Sequence, residues 1–138
     1  MNLESEIYKL SFELSEEFEE NELNKLLGVL ASDGVYAMWV YAKDKFKKNE
    51  DQPKIEKINE LIRNLDNFVD DKKDNKKDGE NIDNKNIDNE YFQNLAQDLN
   101  RLLFMKELLE KVLIYAIYHA KAKENKNGEE NREKNEMV

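Results

Sequence analysis

From Leu3 to Phe18 the apolar positions Leu3, Ile7, Leu10, Leu14 and Phe18 recur at intervals of four, three, four and four. That spacing puts them on one stripe of an amphipathic helix, with glutamate and serine on the other face. Asn21 interrupts the pattern, and Leu23, Leu26, Leu27 and Leu30 resume it until Ser32-Asp33-Gly34. Gly34 suits a helix C-cap in the left-handed region, and Asp33 or Gly34 can equally begin the next helix. Val35-Tyr36-Ala37-Met38-Trp39-Val40-Tyr41-Ala42 is apolar or aromatic on every side, as expected of a helix buried centrally or against a partner. Periodicity alone also allows a buried strand here. The run continues into Lys43-Asp44-Lys45-Phe46-Lys47-Lys48 without a turn signal and has no second strand to pair with, which favours the helix.

Asp51-Gln52-Pro53 supplies a capping residue and a proline at or near a first helical position. Ile55, Ile58, Ile62, Leu65 and Val69 then alternate by three and four, the cleanest amphipathic pattern in the chain. Residues 70–89 are low-complexity, with a near-duplicated Asn-Ile-Asp-Asn and only two isoleucines, and read as a flexible loop. After Asn89, a candidate N-cap, a stripe of Phe92, Leu95, Leu99, Leu102, Met105, Leu109, Val112, Ala116 and Ala120 predicts one long helix from about Glu90 to Lys123. Leu103, Phe104, Leu108, Leu113, Tyr115, Ile117 and Tyr118 widen that face. At ~1.5 Å per residue such a rod is about 50 Å long, more than a compact domain of this size needs, so part of it is expected to meet another chain. Residues 124–138 are polar and are expected to fray. The sum is a single all-α domain over residues 1–138, a bundle of about five helices.

Composition sharpens this picture. With 38% charged and 39% hydrophobic residues, apolar side chains must be concentrated on faces, and four glycines and one proline leave little turn chemistry for a β-fold. No cysteine is present, which removes disulfides, thiolate metal sites and a cysteine nucleophile. The acidic start lacks a basic region followed by an apolar run, and the most apolar stretch, Val112 to Ala120, is too short to span a bilayer, so a cytoplasmic protein with no membrane contact is expected. The net charge of −9 disfavours non-specific nucleic-acid binding by the whole surface. Charge is unevenly spread, however: residues 1–24 hold eight Glu and one Lys, whereas residues 25–48 hold five Lys and two Asp. A local basic patch is therefore compatible with an acidic protein.

His119 is the only histidine, so neither a His-based zinc site nor a Ser-His-Asp triad has support. The paired glutamates at Glu16-Glu17 and Glu19-Glu20 lie beside a Leu/Phe stripe and read as a solvated helix face. The Asp/Asn-rich loop does not register with a twelve-residue calcium loop, and no phosphate-cradle or nucleophile-elbow motif occurs. No enzyme, no cofactor and no metal is expected. Two interaction signals remain. The cluster Lys43, Lys45, Lys47 and Lys48 can contact phosphates beside Tyr41 or Trp39, or can be a solvated, dipole-compatible helix end, the commoner case. The segment Tyr115 to Lys123 alternates small and aromatic residues before its lysines, and can dock on RNA or a neighbouring subunit or simply pack in the core.

Asp33-Gly34-Val35-Tyr36-Ala37 opening an apolar helix that closes on lysines, and a last helix ending in Tyr118-His119-Ala120-Lys121-Ala122, together resemble a known family. It is the small α-helical subunit of type III CRISPR effector complexes, in its Cmr-type form. The ending is also similar to the corresponding Csm-type subunit, with the basic residue of the terminal stretch displaced to Lys121 and Lys123. The acidic first helix departs from the family pattern and argues against RNA contact by that face. The resemblance implies a non-catalytic antiviral-defence subunit that stacks along the guide RNA–target RNA duplex and braces other effector subunits, with homo-oligomers possible. Lys43, Lys45, Lys47, Lys48, Arg101, Lys121 and Lys123 are then the candidate RNA-backbone contacts, nominated by charge and position. The alternative is a helical protein–protein adaptor or dimerisation module that binds no nucleic acid.

Overall fold

The computed structural model describes residues 2–69 and 86–136, with side chains described as far as Glu124. Among the described residues there are six α-helices, one 3-10 turn and no strand. The helices are α1 (Leu3–Glu17), α2 (Glu20–Asp33), α3 (Val35–Lys45), α4 (Gln52–Val69), α5 (Asn89–Ala96) and α6 (Leu99–Glu136), with the 3-10 turn at Asn49–Asp51 ahead of α4.

Local chemistry sets the boundaries. Asn2 caps α1 by accepting from the Glu4 amide at 2.9 Å. The first break falls at Phe18-Glu19 rather than at Asn21, because the Glu22 carboxylate accepts from the Glu19 amide at 2.9 Å and starts α2 there. Phe18 turns inward instead and meets Phe46 with ring centroids 5.5 Å apart. Gly34 alone separates α2 from α3. Its amide donates to the Leu30 carbonyl and its carbonyl accepts from the Met38 amide, so one residue ends one helix and opens the next. Its φ of 100° and ψ of −177° belong to a region that only glycine enters freely.

Two expectations are corrected along α3. The helix ends at Lys45, so Lys47 and Lys48 lie beyond it. It buries one side only, through Val35, Met38, Trp39 and Ala42, and leaves Tyr36 and Val40 exposed. The long helix expected from Glu90 is also divided. Asp98 caps α6 by accepting from the Arg101 amide at 3.3 Å, and the Gln97 and Asp98 amides fold back on α5 in tight i→i−3 bonds. The N-cap of α5 is Asp88, which accepts from the Tyr91 amide, one residue before the expected Asn89. Beyond Lys123, where fraying is expected, the helix runs on to Glu136. The expected flexible loop over residues 70–89 lies outside the described residues as far as residue 85. Within its described end, Ile87 is buried in the core rather than left in a loop.

The core is one cluster to which every helix contributes, with Leu14, Leu23, Leu30, Met38, Ile62, Leu65, Leu95, Met105 and Leu109 almost fully buried. α6 is the central element and packs against α1, α2, α4 and α5, most extensively against α1. Pairs of contacts fix the directions. Glu4–Lys111 at 2.8 Å, Tyr8–Tyr115 at 5.8 Å, Phe12–His119 at 5.7 Å and Glu16–Lys123 at 3.1 Å ascend both helices together, so α1 and α6 run parallel. Every rung joins residues 107 apart and successive rungs are one helical turn apart, which builds a ladder with ionic ends and an aromatic middle. Lys57–Glu13 at 3.2 Å and Arg101–Asp66 at 3.9 Å make α4 descend beside them.

This arrangement accounts for the uneven charge of the sequence. The acidic face of α1 and the first turn of α2 lie between lysines of α6 (Lys111, Lys121, Lys123) and lysines of α4 (Lys54, Lys57). Glu22, for example, takes Lys54 at 2.8 Å. For Lys54 burial works to lower the pKa, but the Glu22 hydrogen bond and charge outweigh it and hold the ammonium above its ordinary range.

Candidate nucleic-acid interface

The seven candidate cations fall in three places. Lys43, Lys45, Lys47 and Lys48 are all exposed at the end of α3 and in the segment just after it. Lys43 lies over the Trp39 ring, its Nζ 4.3 Å from the centroid. Lys47 is 3.6 Å from Asp44 in a pair open to solvent on both sides, which contributes little. Lys45 and Lys48 have no carboxylate in ion-pair range among the described residues. Lys43 and Lys45 stand in the last turn of α3, where carbonyl groups without helical partners concentrate negative potential that cations offset.

Trp39 is not a free stacking platform. It is buried, its Nε1 donates to Asn59 Oδ1 at 3.0 Å, and its ring packs on Phe92 at 4.9 Å while Lys43 covers it from another side. Tyr41, the other aromatic expected beside the cluster, is partly buried against the core, so the cluster itself presents positive charge.

The remaining three cations are engaged within the protein. Arg101 turns inward toward Asp66, which is fully buried and also accepts from the Tyr91 hydroxyl at 2.8 Å. The Nε of Arg101 is buried without a hydrogen-bond partner. Lys121 faces Glu20 at 3.9 Å. Lys123 pairs with Glu16, donates to the Ser15 carbonyl at 3.3 Å and lies over the Phe12 ring. Arg101 and Lys123 are separated by about 33 Å along one helix, at ~1.5 Å per residue. The structure thus gathers four of the seven candidates and spreads the others over internal contacts.

Sequence reasoning passed over the Asp66–Tyr91–Arg101 group, which ties α4, α5 and α6 together in a place where an unpaired charge would be costly. A signal was present: Asp66 follows Ile62 by four and so belongs to the buried stripe of α4. Leu99, expected on the main apolar stripe of the last helix, and Leu103 and Tyr118, expected to widen it, are instead 64%, 53% and 62% exposed. His119 is exposed and meets the Phe12 ring edge-on. Among the described residues no three His, Asp or Glu side chains converge as a metal ion would need, and no helix is long and apolar enough to cross a membrane. Comparison of the chain with models of protein families, with curated proteins and with solved structures finds no match in any of the three.

Proposed function

We propose that this all-α protein is a non-catalytic subunit of an RNA-guided defence complex of type III, contacting the backbone of the guide RNA–target RNA duplex through Lys43, Lys45, Lys47 and Lys48. The observation that carries the reading is the exposed lysine cluster at the end of α3, where no buried carboxylate neutralises it. Its support from sequence is the resemblance of the Asp33–Ala37 and Tyr118–Ala122 segments to the small subunit of such complexes. Arg101, Lys121 and Lys123 are left out of the contact set, because each faces a carboxylate of a neighbouring helix, whereas Asp44, the partner of Lys47, lies within the cluster itself. In this reading the protein works in the cytoplasm beside other effector subunits.

The test is binding of the full chain to a short RNA duplex across a salt series, with co-purification of guide RNA and effector subunits from cells. Four phosphate contacts give a log–log salt slope of about −3.5, by analogy with B-DNA. Changing Lys43, Lys45, Lys47 and Lys48 to Glu should abolish both the affinity and the slope. Duplex affinity that survives the fourfold change, or a purification that recovers neither RNA nor effector subunits, rejects the proposal.

A second reading, a helical adaptor that binds protein alone, is favoured by the exposed apolar residues Leu99, Leu103 and Tyr118 on α6. It predicts no measurable RNA affinity and a protein complex indifferent to the lysine cluster.

A further inference from the structure

Where α2 gives way to α3 and α5 gives way to α6, two hollows share Tyr36, Phe92 and Ala96 as walls and together form a cleft. On one side Tyr36, Asn89, Phe92 and Ala96 line a hollow of about 300 Å³. On the other, Val35, Tyr36, Phe92, Leu102 and Leu103 line one of about 370 Å³. Leu99 and Val40 are also exposed, on α6 and α3, although neither lines the two hollows.

Tyr36 is an unusual wall, because it is 48% exposed and yet fixed. Its hydroxyl donates to Asn89 Oδ1 at 3.1 Å, and its ring packs on Phe92 at 5.6 Å and on Trp39 at 6.1 Å. An aromatic side chain already held in place gives up little further entropy on binding, which is the property of an interface anchor.

The second hollow is lined by one carboxylate, Asp33, and one ammonium, Lys106. Asp33 is the last residue of α2, whose final turn contains no basic residue, so its carboxylate adds to the negative end of the helix dipole. Asp33 is exposed and has no ion-pair partner among the described residues. Lys106, the one cation lining this hollow, donates to the Ala31 carbonyl at 3.3 Å and lies 3.8 Å from Glu110. Glu107 follows Leu103 by one turn on the exposed side of α6.

We propose that this cleft docks a short amphipathic segment of a partner protein, with apolar side chains entering on both sides of Tyr36 and a Lys or Arg reaching Asp33. Charge selects this occupant. Asp33 has no counter-ion among the described residues, and a Lys or Arg flanking the apolar side chains of the docked segment supplies one. The mode is helix-in-groove recognition, in which apolar anchors supply affinity and the flanking charge fixes orientation. The proposal rests on the adaptor reading, to which it adds the surface and the chemistry of the partner, and it is independent of the RNA reading.

Selection of a displayed library of random short peptides against the full chain tests it, with the recovered peptides synthesised and titrated. Trp39 is the only tryptophan and touches both Tyr36 and Phe92, so its emission reports occupancy of the cleft. The expected peptides combine apolar or aromatic residues with Lys or Arg and shift the Trp39 emission. Leu103→Asp and Tyr36→Ala should each weaken them about tenfold or more. Both positions are about half exposed, and melting temperature checks that the variants stay folded. Asp33→Lys should turn the preference toward acidic peptides. A variant with Lys45, Lys47 and Lys48 changed to Glu, which leaves Lys43 on the Trp39 ring, should not weaken peptide binding, which separates failure here from failure of the RNA reading. The idea is overturned if no basic apolar peptide is enriched, or if the enriched peptides bind Leu103→Asp as tightly as the unaltered chain. A dimer seen in sedimentation equilibrium and lost in Leu103→Asp also overturns it, by assigning the cleft to a second copy.

Discussion

At Gly34 the backbone takes φ 100°, and a Cβ built there would meet nothing within 4 Å. The obstacle to any other residue is therefore conformational and not steric crowding by neighbours. Gly34→Ala is expected to lose about 1–3 kcal/mol, the usual cost of holding a side-chain-bearing residue in such a region. Gly28 is the contrasting case. It lies inside α2, is exposed, and also has open space where a Cβ would go. Gly28→Ala should add about 0.5–1 kcal/mol by reducing the freedom of the unfolded chain. Urea denaturation of the two variants checks the opposite signs. The buried Asp66 makes a third residue-scale prediction: Tyr91→Phe removes a 2.8 Å bond to a charged acceptor and should cost about 1.5–3 kcal/mol. A loss near zero in the same measurement would mean that the group is held by its other contacts.

Between elements, the α1–α6 ladder links stability to pH. The Lys111 hydrogen bond holds the Glu4 carboxyl below its ordinary range, with the Tyr8 hydroxyl adding to the effect, and the same bond holds the Lys111 ammonium above its range. The contribution of Glu4 is present above the usual carboxylate range and is lost as pH falls through its depressed value. That of Lys111 is present below the usual ammonium range and is lost as pH rises through its raised value. Where α6 passes the first residue of α2 the sign reverses. Glu124 is held above its ordinary value by its hydrogen bond to Glu20, by the Glu20 charge and by desolvation. A carboxyl raised in the folded state binds its proton more readily there than in the unfolded chain, so this pair costs stability as pH rises. Glu124→Gln should therefore raise the melting temperature at pH 7 and have a smaller effect at pH 3. An equal shift at both pH values would show that the two carboxylates do not interact.

For the molecule as a whole, the distribution of charge separates internal work from surface work. The lysines of α6 and α4 pair with the acidic α1 and α2, whereas Lys43, Lys45, Lys47 and Lys48 are exposed and reach no carboxylate of another helix among the described residues. Changing only Lys45 and Lys48 to Gln, the two members with no ion-pair or ring contact among the described residues, should therefore leave the melting temperature close to that of the unaltered chain while weakening any polyanion affinity. Lys111→Glu should instead lower the melting temperature, because it sets two carboxylates against each other at the Glu4 rung. Thermal melting of the two variants under one buffer condition checks the contrast.

The helices were legible because burial repeats with the helical period. Ile58, Ile62, Leu65 and Val69 stand at the expected spacings and all are buried. The break at Gln97-Asp98 was not legible from that pattern, since Leu95 and Leu99 keep a spacing of four across it while only Leu95 is buried. Asp98 as a cap was the available signal. Of the candidate contacts, the lysine cluster could be located because its members are neighbours in the chain. The commitments of Arg101 to Asp66 and of Lys123 to Glu16 could not, because they join residues far apart in sequence. The cleft around Tyr36 is of the same kind, assembled from α2, α3, α5 and α6. The sequence by itself thus determined the all-α class, the stripe of each helix and the placement of charge along the chain, all of which follow from local periodicity and composition. Only the tertiary structure decided which charges are neutralised and which apolar residues stay exposed, because both depend on which helices become neighbours.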